Sequence, residues 1–221
     1  MNNFTKRFLS SLVILPISIY FLFSGGMKLN IFLFILFFFS MYEIIYNFKS
    51  IFSKLFLSLI LILAIISVNI LANESYRSAY ILYYSILLCI SSDIGGYVFG
   101  KIIKGRKLTK ISPNKTFSGF FGAYIFSFLA LFIFNTYVLE KINDLLNVTV
   151  LFNFNEILLT FILSSVSQLG DLTISFLKRK DKIKDSGKIL PGHGGILDRL
   201  DSLMFVVIAA FFFYKSFNYF L

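Results

Sequence analysis

Seven runs of about twenty predominantly apolar residues divide this chain, and a run of that length suits a helix crossing the hydrocarbon core of a bilayer. They cover 8–23, 29–48, 51–71, 79–100, 117–139, 155–177 and 201–221. In lipid each backbone N–H and C=O must find its partner inside the protein, which a helix does within one segment. Composition agrees: 57% of the 221 residues are hydrophobic and 14% are charged, against about 45–50% and about 25% in soluble domains. A domain of this size leaves too much surface exposed to hide that excess in one core. A soluble globular enzyme and a disordered chain are both excluded. The sequence predicts an all-α integral membrane protein, a polytopic bundle of about seven transmembrane helices forming a single domain over residues 1–221.

Only Lys49 and Ser50 separate the second and third runs, which reads as a tight helical hairpin. The first run follows Lys6-Arg7, and no A-x-A-like cleavage site follows it, so it is read as a retained helix and not a signal peptide. Basic residues then orient the bundle. With a cytoplasmic N-terminus, 17 of the 21 Lys and Arg fall on the inner side, leaving Lys28, Arg77, Lys141 and Lys215 outside. The formal net charge of +10 suits an anionic membrane face or a phosphorylated ligand. Cys89, the single cysteine, lies inside an apolar run and reads as a small core residue.

Ionisable residues inside membrane segments are costly and mark functional sites. Asp93 lies eight residues before Lys101 and Asp171 seven before Lys178, which at 1.5 Å per residue puts both carboxylates roughly 10–12 Å from the basic ends of their helices. Asp198 and Asp201 open the last helix with i, i+3 spacing, on one face. Four carboxylates on three helices thus converge near the cytoplasmic face, beside two basic loops. The alternative reading is helix capping plus solvated loop charge, which covers Asp201 and much of 178–188 but leaves Asp171 without a purpose.

The first loop runs from Ser91-Ser92-Asp93 through Gly95-Gly96 and Gly100-Lys101 to Gly105-Arg106-Lys107 and Ser112-Pro113-Asn114-Lys115-Thr116. Gly95–Lys101 begins like a P-loop, but Ile102 stands where the metal-binding hydroxyl belongs and the run ends a helix instead of following a strand. What remains is a Gly-interrupted helix end and a basic loop whose hydroxyl, amide and ammonium groups could wrap phosphates. In the second loop, Asp171, Ser175 and Lys178 share a face at i, i+4, i+7. The run Pro191-Gly192-His193-Gly194-Gly195 lets backbone approach a ligand closely, and it leads into a helix N-terminus, an end that favours anions. Carboxylate oxygens suit Mg²⁺, whereas one histidine without a suitably placed thiol makes zinc improbable. The pattern describes a metal-dependent site for a polyphosphate.

The stretch Ser175-x-x-Lys178-Arg179-x₄-Lys184-Asp185-x-Gly187-x₃-Pro191-Gly192-His193-Gly194-Gly195-x-Leu197-Asp198-Arg199-x-Asp201 resembles the C-terminal motif of phosphatidate cytidylyltransferases, or CDP-diacylglycerol synthases. The upstream stretch from Asp93 to Thr116 resembles that family's second conserved region, so the likeness covers about 91–202, the catalytic region. Ser118 stands where members often carry Glu, and the chain is shorter than many members, which implies fewer N-terminal spans. The resemblance implies a Mg²⁺-dependent nucleotidyltransferase of phospholipid biosynthesis in a bacterial inner membrane, transferring the cytidylyl group of CTP to phosphatidic acid. It implies Asp171, Asp198 and Asp201 as metal ligands, and Lys115, Lys178, Arg179 and Arg199 on phosphate oxygens. Asp93, Lys101, Ser112, Asn114, Ser175, Lys184, Asp185, His193, Gly194 and Gly195 would complete the substrate site. His193 is read as a hydrogen-bonding loop residue instead of a base. CTP, phosphatidic acid, membrane lipids and a second copy in a homodimer are the expected partners, with no nucleic acid. The competing readings are a CTP-dependent polyprenol or lipid kinase, a membrane transporter and an inactive family member.

Overall fold

A computed structural model describes residues 16–109, 112–113, 115–139, 154–187, 189 and 194–217. Helices account for its regular structure: α1 (16–24), α2 (Gly26–Asn47), α3 (Ile51–Asn73), α4 (Tyr76–Ile102), α5 (Phe117–Phe134), α6 (Phe154–Lys180) and α7 (Leu197–Phe217). A π-helical turn, Asn135–Leu139, continues α5. An isolated antiparallel bridge pairs Lys107 with Thr116. The helices α2 to α6 are long and apolar enough to cross a membrane, and the architecture is that of a multi-pass membrane protein. The expected first span is described only from residue 16 onward. The expected last span starts earlier than read, at Leu197 instead of Asp201, so Asp198 and Arg199 sit inside its first turn.

Helices α4 and α5 start where the sequence offers an acceptor for their free N–H groups. Ser75 caps α4 in a reciprocal box, its Oγ accepting from the Ser78 N–H at 3.1 Å while the Ser75 N–H donates to Ser78 Oγ at 2.9 Å. Thr116 Oγ1 caps α5 by accepting from the Gly119 N–H at 3.1 Å. The expected hairpin between α2 and α3 is present, turning over Phe48–Ser50. The end of α6 is a Schellman turn: the Ile183 N–H reaches the Lys178 carbonyl and the Lys182 N–H the Arg179 carbonyl. Lys182 takes the left-handed conformation there, at φ 60°.

The bundle is packed around α4, which touches α3, α5, α6 and α7. Its contact with α5 depends on glycine. A Cβ on Gly95 or Gly122 would collide with the facing helix, and one on Gly119 would stand 2.6 Å from the Gly96 carbonyl oxygen. Backbones therefore meet directly, as small residues permit between membrane helices. This corrects the reading of Gly95–Gly100 as an interrupted helix end, because α4 runs unbroken through them to Ile102. The interior also collects hydroxyls: Ser67, Ser85 and Ser127 are buried and each donates to the carbonyl four residues earlier. Large apolar side chains such as Phe34, Phe38, Leu55 and Phe132 face outward, the favourable direction in lipid.

Candidate active site

Helices α4 and α6 end, and α5 and α7 begin, on one side of the bundle, and the charged residues gather there. The 103–116 loop folds back on itself through Leu108 N–H to Lys115 carbonyl and Phe117 N–H to Arg106 carbonyl bonds. That fold carries Lys115 to Asp171, with Nζ 2.5 Å from Oδ2. Ser175 Oγ donates to Asp171 Oδ1 at 3.4 Å, as the shared helix face requires. Asp93 and Asp201 each lie within electrostatic reach of Asp171, and Asp201 also within reach of Asp93 and Lys178. Three like charges so placed repel one another, and the ammonium groups of Lys115 and Lys178 offset part of that cost. Asp93 remains exposed, and Asp171 and Asp201 are half-buried, so the cluster opens to a ligand.

A second cluster adjoins the first. Lys178 Nζ lies 2.9 Å from Asp198 Oδ1, both side chains about one-tenth exposed. The remaining acceptor capacity of Asp198 goes to backbone. The Ser186 N–H donates to Oδ1 at 3.1 Å and Oδ2 at 2.9 Å, and the Gly195 N–H to Oδ2 at 2.9 Å. Beside it, Tyr42 and Asn47 of α2 face Ile183, Lys184, Asp185 and Gly187 across a cavity of about 650 Å³.

Basic groups, partly open carboxylates and a glycine-bearing loop at the end of a membrane bundle now invite comparison with known proteins. The profile of the Cytidylyltransferase family matches residues 5–217. The chain belongs to the cytidylyltransferase family. It is 46% identical over 130 residues to a phosphatidate cytidylyltransferase of Staphylococcus epidermidis, covering 58% of this chain and 46% of that relative. To the protein of the same name from Staphylococcus haemolyticus it is 45% identical over 137 residues, 62% of this chain and 49% of the other. The phosphatidate cytidylyltransferase of Bacillus subtilis is 40% identical over 146 residues, 66% of this chain and 51% of its own. The chain spans about half the length of the curated relatives it matches.

The structure brings together Asp93, Lys115, Asp171, Ser175, Lys178, Asp198 and Asp201. Asp198, expected as a metal ligand, accepts here from one ammonium and two backbone groups. Lys101 turns to the hydroxyl of Tyr97 at 3.2 Å and is exposed. Arg179 donates to the Ile183 carbonyl at 3.3 Å and is also exposed, as is Arg199. Ser112 shapes the first loop, its carbonyl accepting from the Lys115 N–H. Lys184 and Asp185 line the cavity. Asn114 and His193 lie outside the described residues. Ser118, at the departure from the family pattern, bonds the Lys104 carbonyl and Thr116 and so ties the start of α5 to the end of α4.

Two residues escaped the sequence reading. Gln168, one turn before Asp171, keeps its amide nitrogen buried without a hydrogen-bond partner among the described residues. Its i, i+3 spacing from Asp171 was the available signal. Glu43 on α2 is fully buried. Its carboxylate accepts from Ser186 Oγ at 3.1 Å, the Ile196 N–H at 3.0 Å and the Leu197 N–H at 2.9 Å. A Cβ on Gly187 or Gly195 would fall on that carboxylate. The expected anion at the N-terminus of α7 is therefore the protein's own, and these glycines admit Glu43. An acid in the middle of an apolar run was its only trace in the sequence.

Proposed function

We propose that this protein transfers the cytidylyl group of CTP to phosphatidic acid, forming CDP-diacylglycerol and pyrophosphate at the cytoplasmic face of a bacterial inner membrane. The observation that carries the reading is the meeting of the Lys115–Asp171 and Lys178–Asp198 pairs around Asp93 and Asp201 at one end of the bundle. The names of its relatives point to the same reaction. The excess of basic residues on that side orients it, with the N-terminus inside.

The chemistry asks for positioning and charge neutralisation. A phosphate monoester has a second pKa near 6, so the attacking oxygen of phosphatidic acid arrives ionised and no side chain has to remove a proton. That is why His193 is assigned a hydrogen-bonding role and not that of a base. The lipid oxygen forms a bond to the α-phosphorus of CTP, the bond from that phosphorus to the α,β-bridging oxygen breaks, and pyrophosphate leaves with the electron pair. Lys115 and Lys178, with Arg179 and Arg199 at the rim, neutralise the phosphate oxygens as charge shifts to the leaving group. Holding a lipid head group and a nucleotide in one orientation supplies the rest.

Mg²⁺ fits the donor set. Among the described residues no three ligand-type side chains close a metal shell by themselves. Mg²⁺ commonly takes one or two carboxylates and completes its octahedron with water and substrate phosphates. Asp171 and Asp201 are the residues assigned to hold it, with Asp93 beside them and Asp198 orienting Lys178. When bound, the ion supplies Lewis acidity and neutralises phosphate charge.

The test is direct: purified protein, CTP labelled at the α-phosphorus, and phosphatidic acid in mixed micelles, with products identified by mass. A cytidylylated lipid with pyrophosphate is expected. A phosphorylated lipid with CDP would assign the protein to lipid kinases, and no turnover of either kind would remove the reading.

A further inference from the structure

The resemblance and the charged clusters all lie within 91–202, yet the structure ties that region to the α2–α3 hairpin by polar contacts running both ways. From the hairpin, the Glu43 carboxylate takes Ser186 Oγ and the Ile196 and Leu197 N–H groups, and Asn47 Nδ2 donates to the Ser186 carbonyl at 2.7 Å. In return, buried Asp181 at the end of α6 accepts from the N–H groups of Lys49 and Ser50, at 3.2 and 3.3 Å, and so holds the turn that precedes α3.

Ser186 is the shared point. Its hydroxyl goes to Glu43, its carbonyl to Asn47 and its N–H to Asp198, which holds Lys178. Movement of Glu43 is thus passed through one residue to the ion pair.

A buried carboxylate is an expensive way to join apolar helices, and an apolar residue of similar volume often serves stability as well or better. What a carboxylate adds is direction. Two oxygens aimed at two consecutive N–H groups and a hydroxyl set the first turn of α7 to a single orientation, and that turn carries Asp198 and leads to Asp201. We infer that Glu43 is a positioning residue for the transfer reaction, acting through Ser186 and the first turn of α7 to hold Lys178, Asp198 and Asp201 in register. This rests on the function proposed above. It brings the C-terminal part of α2 into the support of the site, through the bonds of Glu43 and Asn47 to Ser186 and the first turn of α7.

The experiment compares the full chain with Glu43→Gln, Glu43→Asp, Ser186→Ala and a control, Leu61→Ala, which opens a cavity in the buried middle of α3. Rates are measured per folded molecule, and amide exchange is followed at Ile196 and Leu197. Glu43→Gln keeps the shape but turns an acceptor oxygen into a donor facing other donors. It should lower kcat about 10-fold or more, the scale of a lost hydrogen bond to a charged group. KM for CTP should stay within about 3-fold, since no binding contact is removed, and the two amides should exchange at least about 10-fold faster. Glu43→Asp should recover part of the loss. Leu61→Ala should lower the melting temperature and leave kcat unchanged.

Wild-type kcat in Glu43→Gln, or a loss of kcat that tracks stability equally in Glu43→Gln and Leu61→Ala, overturns the inference. If Glu43→Gln does not fold, Ser186→Ala decides: a fall in kcat of about 3-fold or more supports the coupling, and an unchanged kcat refutes it. A wild-type protein that performs no transfer, with the amide-exchange contrast intact, would remove the functional reading and leave the clamp standing.

Discussion

Lys178 on α6 and Asp198 on α7 form an ion pair 2.9 Å long, in which the carboxylate also accepts from the backbone of Ser186 and Gly195. With about one-tenth of each side chain exposed, neither charge can fall back on water. Removing one partner should therefore cost more than removing both. Lys178→Met leaves a buried carboxylate and is expected to destabilise the protein by about 3 kcal/mol. Adding Asp198→Asn to it should recover part of that loss. Thermal unfolding in detergent of the two single variants and the double gives the coupling directly. Simple additivity would mean that the pair is not coupled in the folded protein.

The ion pair between Lys115 and Asp171 is more open, with roughly a quarter of each side chain exposed, and its expected role lies in turnover. Asp171→Asn should reduce the rate at least about 10²-fold, the scale on which a key electrostatic group acts. The Mg²⁺ concentration for half-maximal rate should rise alongside. Lys115→Met should instead raise KM for CTP and leave the Mg²⁺ requirement in place. A rate near wild type for Asp171→Asn at saturating Mg²⁺ would take this residue out of the site.

Two neighbouring glycine contacts separate packing from propensity. Alanine at Gly122 would press its methyl group into Phe99 and to 2.7 Å from the Gly95 carbonyl oxygen, whereas alanine at Gly96 would find its nearest neighbour at 3.7 Å. Gly122→Ala should cost about 1–3 kcal/mol of stability. Gly96→Ala, free of collision, should gain up to about 1 kcal/mol from helix propensity. Opposite shifts in melting temperature are the expected result. Equal shifts would show that α4 and α5 do not meet as closely as their glycines permit.

Orientation can be read by labelling. In a Cys89→Ser background, single cysteines at Lys107 and Lys182, both exposed in the structure, should react with an impermeant maleimide only from the cytoplasmic side. A cysteine at Asn147 should react only from outside. Reaction of the Lys107 and Asn147 positions from the same face would overturn the expected seven-span topology.

Much of this protein was legible in one dimension because lipid imposes a one-dimensional rule. Each crossing needs about twenty apolar residues, so α2 to α6 could be located within a few residues of their ends. The same rule made Asp93, Asp171 and Asp201 conspicuous, since a charge in an apolar run needs a reason. Local capping was likewise written nearby, in Ser75 and Thr116.

What the sequence alone could not decide is which charge meets which. Asp171 and Asp198 looked alike in the sequence, and only the folded loops show Asp171 meeting Lys115 and Ser175 while Asp198 meets Lys178, Ser186 and Gly195. The Pro191–Gly195 run looked like backbone open to a ligand, and packing shows Gly195, with Gly187, making room for Glu43. Glu43 itself reaches its partners across more than 140 positions of chain. Spacing along a helix reports neighbours three and four residues apart. A hydrogen bond between distant segments is set by how the helices pack, and that is a property of the tertiary structure alone.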